Sequence, residues 1–445
     1  MDAAGWVRSL GLGCPLVATL VAFHARPLAR RGVAASLVAT AWTFPALFGL
    51  NLLAQRVGWW SFDGAAGGLF FGVPLDAIVA WTVLWAVLPE IVAPTLSLPV
   101  LAGIALWLDL MVMPLGEPVI RLGESWLVGE FLAIACVLAP ARLVASWTRK
   151  QAFLGYRTAV QAVSFGSLAW ILIPLAAFAW TGRDPMRWLS HWSWGAVTTL
   201  AHCAGLFAAL ALSAVQEFVQ RGHGTPMPLD PPKRLVTSGP YAYVANPMQL
   251  AMTATMIVWA LLLQSWLYAG AALVAFVFSI GFTAWEESQS MIPRFGSAFE
   301  EYRAQVRFWR VRTRPYVANP ARLYYGAGCN ACEELAAWIR RRAVGLQLVP
   351  AQEHQSANLT RMTYESTGYR AYGVEAVARA LEHVHLGWAV LGCLARLPIM
   401  VDVLQVIVDA SGGGPRALRC ELSDGQVEHR RLTSAGHPPG SRGVG

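Results

Sequence analysis

Residues 247–285 read PMQLAMTATMIVWALLLQSWLYAGAALVAFVFSIGFTAW, two apolar stretches parted by a polar break at Gln264-Ser265. A bilayer-spanning helix needs about 20 predominantly apolar residues, so the passage predicts two consecutive spans, 247–264 and 266–285. Moved outward along the chain, the same ruler marks spans at 9–25, 33–54, 69–89, 95–115, 126–147, 159–180 and 194–215, about nine in all. Composition agrees: of 445 residues 56% are hydrophobic and 13% charged, with 20 Trp, against roughly 25% charged in soluble domains. A wholly soluble enzyme, a disordered chain and a disulfide-stapled secreted module are excluded. The expected fold class is a polytopic α-helical membrane protein of about nine transmembrane helices with a small C-terminal α/β domain.

The net charge is +8. Basic loops beside anionic lipid explain that balance, and without a basic run or a zinc-finger spacing no nucleic-acid partner is expected. One alternate set of loops holds Arg26, Arg30 and Arg31, then Arg149, Lys150 and Arg157, then Arg221, Lys233 and Arg234. The other holds Arg56, Arg121 beside Glu117 and Glu124, and Arg183 and Arg187 beside Asp184. The richer set should face the cytoplasm, which places the N-terminus outside and everything after 285 inside. A multi-pass protein of a bacterial-type inner membrane follows, with no cleavable signal peptide. The organisation expected is an N-terminal bundle over 1–190, a membrane core over 191–316, an α/β domain over 317–420 and a disordered tail over 421–445.

The loop 216–251, QEFVQRGHGTPMPLDPPKRLVTSGPYAYVANPMQLA, is long and rich in Gly, Pro and Thr, residues that hold special turns and offer backbone groups to a ligand. It feeds a helix starting at Asn246-Pro247, where Asn caps and Pro takes the first turn, and such a terminus attracts a carboxylate. Glu286-Glu287 stands where the last span leaves the membrane and suits hydroxyl or amino groups. Composition alone also fits a Pro-rich turn and a solvated acidic helix end.

Gly224-Thr225-Pro226, Leu235-Val236, Gly239-Pro240-Tyr241, Tyr243-Val244, Asn246-Pro247-Met248, Glu286-Glu287, Phe295-Gly296, Tyr302 and Val306 follow in order and spacing. Over about 215–315 the chain resembles the integral-membrane methyltransferases related to isoprenylcysteine carboxyl methyltransferase and phospholipid N-methyltransferase. The resemblance implies an S-adenosylmethionine cofactor enclosed on the cytoplasmic side by Gly239, Pro240, Tyr241, Tyr243, Asn246, Pro247, Glu286, Glu287, Tyr302 and Arg303, beside a lipid-accessible tunnel for a lipophilic acceptor. The chain departs from the family at Ala245, usually Arg, and Gln249, usually Tyr. Arg294, Arg303, Arg307 and Arg310 are basic groups available to replace the lost Arg. Methyl transfer is an in-line displacement that mainly requires alignment and exclusion of water; a base is needed only for a protonated acceptor, and Glu217 or His223 are the candidates by location.

In the N-terminal half, Asp76, Glu90, Asp109 and Glu130 lie within or at the ends of apolar segments, where carboxylates are costly and functional by default. A pocket for an apolar substrate lined by Trp81, Trp85 and Trp107 is one reading; hydrogen-bonded acids and an interfacial Trp belt are the other.

Of seven Cys, only Cys329 and Cys332 stand at a spacing with chemistry in it. The pair follows a strand-like run, 321–325, and opens a helix over 330–343; further strands are expected at 346–349 and 359–364, a helix at 374–385, and packed or interfacial helices over 386–409. CxxC opening a helix after a strand is redox geometry, with Cys329 as the nucleophilic thiolate and Cys332 resolving. Zinc would need a second ligand pair, so no metal is expected. The segment 321–416 resembles the thioredoxin-like thiol-disulfide oxidoreductase family known as DCC, through LYYGAGCNACEELAAWIRRR, YGVEAVARALEHV and GWAVLGCLARLP, with Gly326 in place of the family's Asp.

The expected function is therefore an integral-membrane S-adenosylmethionine-dependent methyltransferase acting on a lipophilic or lipid acceptor, with an attached cytosolic thioredoxin-like domain and a possible thiol-disulfide partner protein. The rivals are a membrane-anchored thiol-disulfide oxidoreductase with a degenerate methyltransferase core, and a non-catalytic membrane scaffold.

Overall fold

The computed structural model describes residues 3–63, 65, 67–182, 185–227, 229–230, 232–354 and 359–415; the tail expected over 421–445 lies outside them. Two compact units are present: Met1–Val236 with Asn246–Glu301, and Thr237–Ala245 with Tyr302–Gly445.

Among the described residues of the first unit eight helices are long and apolar enough to cross a membrane: α1 (Ala3–Ala25), α2 (Arg30–Val57), α3 (Leu75–Val92), α4 (Leu98–Gly116), α5 (Trp126–Lys150), α6 (Leu154–Thr181), α7 (Trp194–Gly222) and α9 (Trp266–Phe295). The ninth expected span is α8 (Pro247–Leu263), 17 residues long. Its limits follow from local chemistry. The Asn246 side chain accepts the Gln249 N–H and Pro247 takes the first turn, while Gln264 closes the helix in the left-handed region (φ 46°) and Ser265 caps the start of α9.

The spans are not uniform. Five-residue wide turns run over Val83–Val87, Ile134–Leu138, Leu168–Leu172 and Glu287–Met291, and Pro89, Pro140, Pro174 and Pro293 each stand two residues beyond. A helical Pro lacks an N–H and its ring collides with the carbonyl four residues earlier. Widening the preceding turn moves that carbonyl away, and the Leu88 N–H bonds instead to the carbonyl of Val83, five residues back. The helices therefore bend without ending.

Two of the four carboxylates in the apolar segments, Asp76 and Glu90, are paired with arginines. Arg8 donates to both oxygens of Asp76 at 2.7 and 2.8 Å, and Glu90 takes both Arg142 (2.5 Å) and Arg149. Asp109 and Glu130 are both buried, and each keeps one carboxyl oxygen without a hydrogen-bond partner among the described residues. Of the three Trp expected to line a pocket, Trp85 is buried, Trp81 half-buried and Trp107 62% exposed, so Trp107 belongs to an outer face. Unforeseen in the sequence are two short antiparallel pairs, β1 (Trp60–Ser61) with β4 (Arg121–Leu122) and β2 (Leu69–Phe70) with β3 (Val73–Pro74). Gly129 passes against that first pair, where a Cβ would meet the Trp59 ring at 2.8 Å.

The second unit holds a four-stranded sheet in the order β6 (Leu346–Pro350), β5 (Ala321–Tyr325), β7 (Thr363–Ser366), β8 (Tyr369–Tyr372), with β5–β6 parallel and the other pairs antiparallel. Helix α11 (Asn330–Arg340) connects the parallel strands, and α10 (Ser297–Gln305) ends within the first residues of the unit's second stretch. Leu323, Ile339, Tyr364, Ala376 and Ala380 form the core. The third strand begins at Thr363, not 359, because the hairpin closes at Gly368 (φ 68°) and its register pairs Thr363 with Tyr372. Helix α12 (Gly373–Leu381) is followed by α13 (Leu386–Ala395) and α14 (Met400–Gly413), which meet at 91°. Gly392 brings α13 onto the Ala378 carbonyl, leaving no room for a Cβ.

Candidate functional site

The long loop is clamped within the membrane unit by buried side chains. After α7, His223 turns the chain (φ 52°). Gly222 and Gly224 pack so closely that a Cβ would meet Val236 and the Phe218 ring at 2.8 Å. Asp230 is buried and is the anchor: its carboxylate accepts from Thr225 Oγ1 (2.9 Å), Arg157 Nη1 (3.1 Å) and Gln151 Nε2 (3.2 Å). From α9, Arg294 donates to the Pro232 carbonyl at 2.7 Å, so this Arg supports the loop's backbone.

Around the start of α8, Gln249 accepts from Thr283 Oγ1 at 3.3 Å, linking α8 to α9 at the position where the family carries Tyr. Glu217 on α7 is fully buried with Arg221 Nε 3.8 Å away, and next to it the buried Gln216 carboxamide has no hydrogen-bond partner among the described residues. His223 is exposed. Glu287 is half-buried in the wide turn near the end of α9, while the side chain of Glu286 lies outside the described residues.

The segment Thr237–Ala245 belongs to the second unit and is stitched to it along its length. Gly239 (φ 58°) opens a tight turn, Gly239–Ala242. The turn's backbone is held by Tyr302 OH to the Tyr241 carbonyl (2.8 Å), Tyr316 N–H to Ala242 (2.8 Å), Arg312 N–H to Tyr243 (3.0 Å) and the Ala245 N–H to Arg307 (3.1 Å). Tyr302, expected among the cofactor-binding residues, thus gives its hydroxyl to the motif backbone. Arg303 instead donates to the Val306 carbonyl at 2.5 Å, with its guanidinium 5.1 Å from the Phe308 ring centre. At Ala245, the position of the family's Arg, the backbone takes part in place of a side chain.

The residue that sequence reasoning missed is Glu382, just beyond α12. Its buried carboxylate accepts the Gly239 N–H at 3.1 Å, and its carbonyl accepts the Tyr243 hydroxyl at 2.9 Å. Arg379 Nη1 at 3.0 Å and Arg396 Nη2 complete the cluster, and Arg396 also reaches Cys393 Sγ at 3.1 Å. Burial, aided by the nearby Glu382 charge, raises the Tyr243 phenol above its ordinary range, so Tyr243 stays a neutral donor. No sequence signal marked Glu382, which reads as one more charge after an amphipathic helix.

Cys329 immediately precedes α11 and Cys332 stands in its first turn, both half-buried. The Gly328 N–H (φ 85°) donates to Glu333 at 2.7 Å, closing the entry turn.

The family whose sequence model matches the chain is phospholipid methyltransferase, over residues 209–298. The match takes in the end of α7, the loop, the tight turn, α8 and the Glu pair, and stops before Tyr302. No curated protein and no solved structure matches the chain.

Proposed function

We propose that the chain is an integral-membrane, S-adenosylmethionine-dependent methyltransferase acting on a lipophilic acceptor, set in a bacterial-type inner membrane with the loop and the C-terminal unit cytoplasmic. The observation that carries this reading is the family match over 209–298. The residues present fit the cofactor. The start of α8 offers backbone N–H groups and a positive dipole end to a carboxylate, and the unpartnered Gln216 carboxamide is buried on α7, which packs along α8.

Asn246 and Pro247 fix the helix terminus that would take the carboxylate; Glu287 would accept from hydroxyl or amino groups. The motif segment Gly239, Pro240, Tyr241 and Tyr243 is assigned to enclosing the cofactor, with Tyr302 holding its backbone. The bound cofactor supplies an electrophilic methyl group. The protein's part is alignment and exclusion of water, for which a turn held by backbone hydrogen bonds is suited. For an acceptor that arrives protonated we assign the proton-accepting role to Glu217, which has Arg221 3.8 Å away, with His223 as the alternative.

The C-terminal unit is read as thioredoxin-like, supported by a βαβ unit, a hairpin and a helix in that order and by Cys329 at the start of the first helix. Its thiol pair is assigned to exchange with a partner's disulfide. Calorimetry with S-adenosylmethionine on detergent-purified protein tests the main reading: wild type binds, Asn246→Ala and Glu287→Ala bind more weakly. Absence of binding by wild type ends it.

A further inference from the structure

We propose that Arg307, Arg310, Arg312 and Arg314 form a binding site for the phosphates of anionic phospholipid headgroups, which keeps the C-terminal unit against the membrane surface. The segment 303–314 reads RAQVRFWRVRTR, five Arg without an acid. It lines a concave site of about 520 Å³ in which the four Arg are joined by Gln305 and Thr313. The backbone there is preorganised: the Arg307 carbonyl accepts the Ala245 N–H, and Arg312 donates its N–H to Tyr243. The Arg312 guanidinium is itself fixed by the carbonyls of Gln305 (2.6 Å) and Arg314 (3.2 Å).

Charge distinguishes this site from the ion-paired arginines of the same unit. Arg379 and Arg396 share Glu382, Arg361 pairs with Asp409 and Arg370 with Glu365. Among the described residues, none of the four site arginines is paired with a carboxylate, and Arg307, Arg310 and Arg314 are exposed. Clustered guanidiniums repel one another until an anion enters, and each offers a planar fork matched to phosphate oxygens.

Two observations favour a bilayer over a soluble phosphate. The segment follows the last span after only Gly296 and α10, and basic clusters just beyond a span on the cytoplasmic side suit anionic headgroups. The same unit also exposes Ile399, Met400, Val403, Val406 and Ile407 on and beside α14, a helix too short and too sharply bent from α13 to span, and of the kind that lies in an interface. Each basic group near an anionic surface multiplies association about fivefold, so three charges give roughly a hundredfold at low salt.

Native mass spectrometry of full-length protein, titrated in detergent with phosphatidylglycerol or phosphatidylcholine, tests the assignment. The variants are Arg307→Gln/Arg310→Gln/Arg314→Gln and the corresponding triple Lys variant, with unfolding midpoints confirming that both fold. Wild type is expected to prefer phosphatidylglycerol by at least tenfold, the Gln variant to lose most of that preference, and the Lys variant to keep most of it. A Gln variant as selective as wild type overturns the site. Displacement of lipid by inorganic phosphate at equal concentration overturns the membrane as its source.

Discussion

Replacing Glu382 by Gln is expected to destabilise the C-terminal unit by about 3–5 kcal/mol, the cost of removing one partner of a buried ion pair. The carboxylate meets Arg379 at 3.0 Å, Arg396 more closely, and the Gly239 N–H at 3.1 Å; the two arginines are 1% and 3% exposed. A carboxamide keeps the size of the side chain and one acceptor oxygen, but both guanidiniums lose this counter-charge. Losing a neutral hydrogen bond costs only about 1 kcal/mol, so Tyr243→Phe serves as the control for hydrogen bonding without charge. Because Gly239 opens the motif turn, the damage should reach that segment. Hydrogen exchange of peptides covering 237–245 and 373–396 in full-length protein reads both effects. At 1.4 kcal/mol per tenfold, opening becomes roughly a hundred- to several-thousandfold more frequent in Glu382→Gln. Adding Arg396→Met removes one stranded charge and should recover at least about 1 kcal/mol, a coupling of the size contacting residues show. Exchange in 237–245 unchanged by Glu382→Gln, with stability within about 1 kcal/mol of wild type, would refute the clasp.

Asp230→Asn removes the acceptor shared by Arg157, Gln151 and Thr225 and should cost about 3–5 kcal/mol of local stability, read as proteolytic nicking within 223–236 of otherwise folded protein. Gly239→Ala places a Cβ at φ 58°, costing roughly 1–2 kcal/mol, and should weaken S-adenosylmethionine binding in calorimetry without moving the melting of the helical bundle. His383 is buried between the Tyr364 hydroxyl (3.0 Å) and the Val344 carbonyl (2.8 Å); desolvation pushes its pKa below the ordinary value. Its neutral form is favoured on folding, so its contribution is full above about pH 6.5 and declines as pH falls below that. Unfolding midpoints between pH 7.5 and 5 should drop more steeply for wild type than for His383→Gln.

Most of the membrane fold was legible because it rests on length and polarity alone. The Gln264-Ser265 break parted α8 from α9, and Asn246-Pro247 marked the start of α8. The wide turns were in principle readable from Pro89, Pro140, Pro174 and Pro293, but a proline in an apolar run signals a disturbance without saying whether the helix ends, kinks or widens. The surrounding packing decides that. The third strand of the sheet was placed early because 359–362 is extended and partly apolar, while the hairpin register that sets the pairing depends on Gly368.

The candidate site was legible as a motif and not as a mechanism of support. Arg157 counted in the sequence as one more loop charge favouring a cytoplasmic face, yet it lies inside α6, 2% exposed, holding Asp230. A buried Arg persists only where an acceptor compensates it, and the acceptor is 73 residues away. Glu382 is a stronger case, since its partner Gly239 is 143 residues distant and contributes only a backbone N–H, which no side-chain pattern records. Both misses have one physical origin. A turn that presents its backbone to a ligand must satisfy its remaining polar groups elsewhere, and the groups that do so are selected by position after folding. They are therefore free to stand anywhere in the chain. In this protein they come from the N-terminal bundle for one part of the loop and from the C-terminal α/β unit for the other.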